Sequence, residues 1–375
     1  GLFDNTGMNI SIKPDLSTLV RPAVTDAEYD FEMKSGSIQA NTLKISEPVK
    51  ILADFSQGTS GDMYKLLGVF KTDNIISERL EIVSKSLTWE AIPGDIHNGY
   101  IDVYMKKLAY SGFTDGLWFE DFGVSLDKTY ANSTGDAGKI YDKIDLLEEE
   151  SDFRNVMASL AGNVYANMNQ RENDIATVLE NSLGTLKSTD GNTKENVKIN
   201  IIGGAGKTKE DTDGVVEYDY KTTGVLALRE VERTYKQTFG YSLGYLHTNF
   251  DYKDGNDSEE DVDTIQLGVH NKYVTNGWKL VNDLTGRASI HNVDRNIDWP
   301  SPTGRSEMNG TYESYSVTSD NILGKELELG ENTSITPYGA LRAMYVMRPT
   351  FNESGLEALE VEGNDAWSVK PRVGV

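Results

Sequence analysis

The sequence predicts a mainly β protein: many short strands, a long α-helical linker, then an antiparallel transmembrane β-barrel, incomplete with about eight strands present. Three observations carry this. Apolar residues at Phe153, Val156, Met157, Leu160, Val164, Met168, Ile175, Val178, Leu179 and Leu183 recur with helical period and predict one helix over 152–186. The segments beyond it alternate apolar and polar residues over about ten to fifteen positions, longer than soluble strands run. Asn163, Asn167, Asn169, Gln170, Asn173 and Asn181, weak helix formers, give the helix a neutral face suited to enclosure by polar side chains.

Residues 1 to about 130 alternate short apolar stretches, such as Met8–Ile12, Ile38–Ala40, Val49–Ala53 and Ile101–Met105, with Gly, Asp, Asn and Ser. Short strands broken by turns fit a β-helix or a β-sandwich equally. Residues 106–150 are mixed; Gly112–Gly116 is turn-like and Tyr141–Glu150 could open a first helix, its Glu148-Glu149-Glu150 run being a solvated face. Ser151 is the expected N-cap of the long helix, and no proline between Pro93 and Pro300 interrupts it.

After a polar linker, 187–196, the clearest strand sets Phe239, Tyr241, Leu243 and Tyr245 on one face and Gly240, Ser242 and Gly244 on the other. Ile265, Leu267, Val269 and Tyr273 then oppose Gln266, Gly268, His270 and Lys272, and Trp278, Leu280, Leu284, Ala288 and Ile290 oppose Lys279, Asp283, Thr285, Arg287 and His291. Near the end Ile335, Pro337, Leu341 and Tyr345 oppose Thr336, Tyr338 and Arg342. Aromatics recur at the ends of the apolar faces, as an interfacial girdle requires, and the small polar residues of the other face leave room inside. The expected object is a barrel with an apolar outside and a polar inside, threaded by the helix.

The chain carries 36 basic and 59 acidic residues, a net charge of −23 and a pI near 4.6. That excludes nucleic acid as a partner, since nothing would neutralise phosphates. It has no cysteine, which suits passage through an oxidising periplasm. It starts at Gly1 without a signal peptide and reads as a segment of something longer.

Four strings in order, Ser159–Ala166 (SLAGNVYA), Gly240–Tyr245 (GYSLGY), Thr336–Arg342 (TPYGALR) and Ser368–Val375 (SVKPRVGV), together resemble the translocator of classical (type V, monomeric) autotransporters. The resemblance implies an outer-membrane barrel of about twelve strands, filled by a helix, that exports and anchors its own N-terminal passenger. It raises the β-helix (solenoid) reading above the sandwich and divides the chain into 1–135, the end of a passenger; 136–190, a linker with the plug helix; and 191–375, a truncated barrel. The partners it implies are outer-membrane lipid and lipopolysaccharide, the barrel-assembly machinery and, for a passenger that acts as an adhesin, a ligand on a host or bacterial surface. Strands are expected at about 196–207, 216–231, 234–250, 263–274, 277–292, 311–324, 333–347 and 358–375, so about four are missing beyond Val375, because eight close too tightly to hold a helix. The alternative is an acidic surface-bound adhesion protein whose β-rich C-terminus lies outside the membrane.

On this reading Asn163, Asn167, Asn173, Gly240, Ser242, Gly244, His270, Lys272, Arg287 and Arg342 contact the plug helix or line the lumen. Phe239, Tyr241, Leu243, Tyr245, Leu267, Leu341 and Tyr345 face lipid. Charge-assisted hydrogen bonds from Arg342, Lys272, Asp283 and Arg287 around the helix are expected, and their removal should let ions leak. No catalytic, cofactor or metal site is expected. Ile201–Thr208 nearly spells a P-loop, but Ile201 stands where a glycine is needed and residues 210–214 read as a turn. The acidic 251–263 loop lacks the calcium-loop order, and the four histidines lack ligand spacing. Asn167 and Asn169, not adjacent, are expected to hydrogen-bond the lumen wall and not to cut the chain.

Overall fold

The computed structural model describes residues 2–5, 9–22, 28–53, 61–76, 81–187, 195–208, 212–330 and 333–375. The chain divides into two compact units: 1–161 with 297–306, and 162–296 with 307–375.

The first unit is built on two sheets, of seven and three strands. In one, Leu2–Asn5, Ile38–Ile45 and Met63–Ile76 pair in parallel; in the other, Asn9–Ile12, Val49–Ala53 and Ile82–Ser84 do the same. Antiparallel Tyr100–Lys107 and Trp89–His97 extend the larger sheet. Alternate residues from both, among them Ile12, Met33, Leu43, Ile51, Leu66, Ile82, Val103 and Met105, meet in one buried core. Where the composition looks mixed, two helices form, Glu120–Tyr130 and Gly135–Ile144. A buried polar node holds this region: the Asp145 carboxylate accepts from Thr88 Oγ1 at 2.7 Å and Tyr110 OH at 2.8 Å, and lies 3.0 Å from Lys107 Nζ. Burial pulls the Lys107 ammonium below the ordinary lysine range, with Asp145 opposing.

The single helix expected over 152–186 is two. Glu150–Leu160 ends at Ala161; Gly162, at φ +78°, turns the chain left-handed, a 3-10 turn follows at Asn163–Tyr165, and the second helix runs Met168–Leu186. A left-handed residue stops a helix as firmly as proline, and glycine takes it without the usual penalty. Ser151 is not the N-cap: Glu149 holds that place, and Ser151 lies inside the first turn.

In the second unit eight long antiparallel strands pair each with the next: Glu195–Thr208, Tyr218–Thr234, Gln237–Tyr252, Glu259–Thr275, Trp278–Trp299, Gly304–Lys325, Tyr338–Arg348 and Asn364–Gly374. The first and last are not paired with each other, so the sheet is open. Two strands reach 22 residues. The expected seventh strand begins later, at Tyr338, because Thr333–Ile335 pairs instead with Leu327–Gly330 as a separate hairpin. The near-P-loop segment is extended strand, paired residue for residue with the second strand; residues 209–211 beyond it, and 188–194 of the polar linker, lie outside the described residues.

Gly162 and Gly184 give opposite expectations. A Cβ at Gly162 would meet Leu359 Cδ1 at 3.1 Å and sit at a positive φ, whereas nothing lies within 4 Å of one at helical Gly184. Gly162→Ala should therefore destabilise the second unit by about 1 kcal/mol and Gly184→Ala stabilise it by about 0.5–1 kcal/mol. The urea midpoints of detergent-folded protein would show the two shifts.

Candidate functional site

The helix Met168–Leu186 lies against the inner face of the long-stranded sheet, and two kinds of contact hold it. Ile175, Leu179, Leu183 and Leu186 pack on Ile202, Leu226, Leu228, Leu246 and Phe250 of the first three strands. The inside is thus half apolar, not polar throughout: the helix keeps its apolar stripe, and the wall beneath it matches. At Gly244 helix and sheet are in contact: a Cβ there would lie 3.1 Å from Leu226 Cδ1 and 3.4 Å from Leu179 Cδ2.

The remaining contacts are charged. Midway along the stripe, between Met168 and Ile175, stand Arg171 and Glu172, about 1% and 2% exposed. Arg171 Nε lies 2.7 Å from Glu260 Oε2 on the fourth strand, and its Nη1 donates to the Val164 carbonyl at 2.9 Å and to Asn167 Oδ1. Glu260 also accepts from Tyr252 OH and, at 2.8 Å, from Tyr312 OH. His291 bridges the two acids, Nδ1 2.6 Å from Glu260 and Nε2 3.0 Å from Glu172, while Ser314 donates to Glu172. The imidazole stacks on Tyr312, centroids 4.2 Å apart, and Tyr312 stacks on Phe351. Every charge in this cluster has an opposite charge beside it, which makes burial tolerable.

Toward the helix N-terminus, Arg295 grips Glu353 with two hydrogen bonds, 2.8 and 2.6 Å, and Tyr165 OH donates to the same carboxylate. Further along the helix, Glu180 lies 3.0 Å from Arg342 and 3.6 Å from Arg287; Arg287 also donates to Ser316, Gln266, Thr285 and Thr318. Just past the helix C-terminus, Lys187 pairs with Asp283, which His270 contacts at 2.7 Å, and Lys198 joins Glu230 at 3.3 Å.

The sequence-named residues fall as follows. Gly240, Ser242, Gly244, His270, Lys272, Arg287 and Arg342 lie on the buried inner face. Asn163 and Asn167 are buried, and Asn167 Nδ2 donates to the Val216 carbonyl at 2.6 Å. Asn173 is half-buried and accepts from Lys370 at 2.8 Å, while Asn169 accepts from Arg348 at 3.2 Å. The asparagine face as a whole is not the enclosed one: Asn169, Gln170 and Asn181 are exposed, and Arg171, Glu172 and Glu180 make the tight contacts instead. Those three, with Glu260, Arg295 and Glu353, escaped the sequence reading. Arg171 and Glu172 do fill a gap in the apolar stripe, and Glu260 and Arg295 share the parity of His270 and His291.

On the outer face stand Tyr241 (52% exposed), Leu243 (58%), Leu267 (62%), Tyr245 and Leu341, with Phe239 and Tyr345 half-buried. Tyr345 packs on Trp367, centroids 4.7 Å apart. Ile201, Ile265, Leu284, Ile290 and Val317 continue this apolar surface across the strands, and Tyr235, Tyr273 and Trp278 mark the hairpin ends on one side. No described helix is long and apolar enough to cross a membrane.

The helix-to-wall network should respond to substitution as a buried ion cluster does. Glu260→Gln strands Arg171 and should cost about 3–5 kcal/mol, whereas Arg171→Met with Glu260→Leu together should cost less than the sum of the singles. A double-mutant cycle on urea unfolding in detergent measures both; additive losses would show that the pair does not act as a unit.

Residues 197–375 match the family model of the autotransporter beta-domain, and residues 25–109 that of the BigA beta sandwich domain. Over 368 residues the chain is 23% identical to BigA of Salmonella typhimurium, named as a surface-exposed virulence protein, covering 89% of this chain and 17% of that protein's length. Among solved structures, the translocator domain of the autotransporter NalP from Neisseria meningitidis is similar over 56% of this chain and 71% of that one, with a TM-score of 0.48 and 15% identity. Residues 197–375 are thus an autotransporter translocator domain, which places the protein in the Gram-negative outer membrane with its passenger at the cell surface.

Proposed function

We propose that the chain carries its own N-terminal passenger across the outer membrane and anchors it there, without catalysis, and that the passenger is an adhesin. The observation that carries this is the Met168–Leu186 helix held by paired charges against the inside of a sheet whose outside is apolar. Such a helix is a tether: it is tied to the sheet along its length. Its paired charges also seal space that would otherwise conduct ions. Outer-membrane lipid, with lipopolysaccharide, is the partner that suits the outer face, and barrel-assembly machinery the partner for a sheet of this topology. The adhesin reading draws on the likeness to a protein named for surface exposure and virulence.

The passenger end itself we read as the last turns of a solenoid. Two parallel sheets advance in step: Leu2 pairs with Thr42 and Asn9 with Lys50, steps of 40 and 41 residues, and Ile38 pairs with Phe70 and Val49 with Ile82, steps of 32 and 33. Matched steps in both sheets are what successive coils of one chain produce. Two layers around one core also suit the sandwich description of residues 25–109.

Two experiments test the export reading. In a Gram-negative host making the full-length protein, surface protease should cleave the passenger in intact cells; a passenger protected until cells are lysed would overturn it. Leu243→Arg should cost roughly 2–4 kcal/mol at a bilayer midplane. Unchanged folding into lipid vesicles would remove Leu243 from the lipid face.

A further inference from the structure

Alternation orders the charges on the outer face of the long-stranded sheet as well as its apolar residues. Beside the 252–259 connection, Asp219 pairs with Asp251, Asp251 with Glu259 and Glu259 with Asp294, a row of four acids across four strands. Lys253 lies 3.0 Å from Asp219 at one end of that row. An anion is repelled from this end of the face. The other end is cationic and aromatic. The Arg233 guanidinium lies 5.2 Å from the Phe239 ring centre, Lys236 Nζ 5.2 Å from that of Tyr235, and Lys325 Nζ 5.3 Å from that of Trp278. Glu232 and Glu326 stand at the opposite parity to Arg233 and Lys325, and Glu326 accepts from Ser334 Oγ at 3.1 Å.

At this cationic end an apolar groove of about 610 Å³ opens beside Lys325. Trp278, Leu280, Leu323 and Leu341 line it and are 36–49% exposed, so the groove is open to whatever lies outside the sheet. Gly339 lines it too, paired with Leu323 on one side and Val373 on the other. No atom lies within 4 Å of a Cβ built at Gly339, so the hollow is unfilled. Asn321, also in the lining, ends a file of outward amides: Gln237 Nε2 donates to Asn271 Oδ1 at 2.8 Å, Asn282 Nδ2 to Asn321 Oδ1 at 2.7 Å, and Asn321 Nδ2 to Ser319 Oγ at 3.0 Å. Lys325 Nζ gives one hydrogen bond to the Asn276 carbonyl, and an ammonium has three to give.

We propose that this groove holds one anionic phospholipid, its acyl chain along Leu280, Leu323 and Leu341 and its phosphate at Lys325. The order of groups along the groove selects the class. A free phosphate would leave the apolar wall bare, and a plain hydrocarbon would leave the lysine without an anion. A phospholipid matches both, and its ester carbonyls accept hydrogen bonds such as an amide N–H offers. Lipopolysaccharide carries several chains and more than one phosphate, which a single groove beside a single lysine does not match. The proposal rests on the reading of the outer face as lipid-facing and names one lipid for one place on it.

The test is native mass spectrometry of the full-length protein in nonionic detergent, titrated with dioleoyl phosphatidylglycerol or dioleoyl phosphatidylcholine. One phosphatidylglycerol should be retained roughly five- to tenfold more tightly than phosphatidylcholine. Lys325→Gln should abolish that preference and leave phosphatidylcholine unchanged, while Lys325→Arg should keep it. Gly339→Leu fills the groove and should weaken both lipids about tenfold. A preference that survives Lys325→Gln, no effect of Gly339→Leu, or tighter retention of lipopolysaccharide than of phosphatidylglycerol would overturn the site. Equal retention of the two phospholipids would overturn it and leave the lipid-facing reading standing; retention of neither would remove that reading as well.

Discussion

The second unit depends on the pairing of Arg171 with Glu260. A guanidinium and a carboxylate buried beyond the reach of water are each costly alone, and neither could stay charged in the interior without the other. Once they meet at 2.7 Å, the geometry of much else follows. Glu260 has lone pairs left over, and Tyr252, Tyr312 and His291 satisfy them; His291 then needs a second acceptor, and Glu172, one residue from Arg171, supplies it. The helix can rotate or slide only by breaking this ring of bonds. Apolar packing of Leu179 and Leu183 would tolerate small slips; the ion cluster sets the register.

Charge pairing recurs at intervals along the helix axis, at Glu353, Glu260, Glu180 and Asp283; the last three acids are met by a base from across the gap, and Glu353 by Arg295 of the sheet itself. In one case the acid is on the helix and in others on the wall, so neither surface is strongly of one sign. A lumen of single sign would attract counter-ions and water into the space that the helix occupies. Mixed pairing closes it instead.

Much of this was legible in the sequence, and what was not has physical causes. Alternation over long segments located the eight strands, because a period of two is visible without knowing a partner. The faces of Gln237–Tyr252 were readable for the same reason. The break at Gly162 is hidden because a glycine inside an apolar stripe can either continue the helix or take a left-handed turn. Helices at Glu120–Tyr130 and Gly135–Ile144 are only 11 and 10 residues long and bury mostly Gly and Tyr rather than aliphatic residues, so packing around Asp145 and Lys107 completes what local preference leaves weak. Ion pairs between Arg171 and Glu260, 89 positions apart, depend on the angle at which a helix enters a sheet, and no local pattern encodes that angle. The asparagine-rich face misled in an instructive way: small polar residues tolerate a half-exposed edge as readily as an enclosed one, so composition alone could not say which.

The two units obey one rule with opposite signs. In the first, alternate residues of each strand put Ile, Leu, Val and Met into a common core and leave Lys, Gln and Asn outside. In the second, the same period of two puts Leu243, Leu267 and Leu341 outside and His270, Arg287 and Arg342 inside. Hydrophobicity has no preferred direction of its own; it moves apolar surface out of water, and which side that is depends on what lies on each side. The polar set decides the matter. Charges that find partners at 3.0–3.6 Å between helix and sheet, as Arg287 and Arg342 do, have no need of bulk water. An apolar band that finds no protein partner on its own side needs a different solvent, and for a strand-built surface of this breadth that solvent is the hydrocarbon of a bilayer.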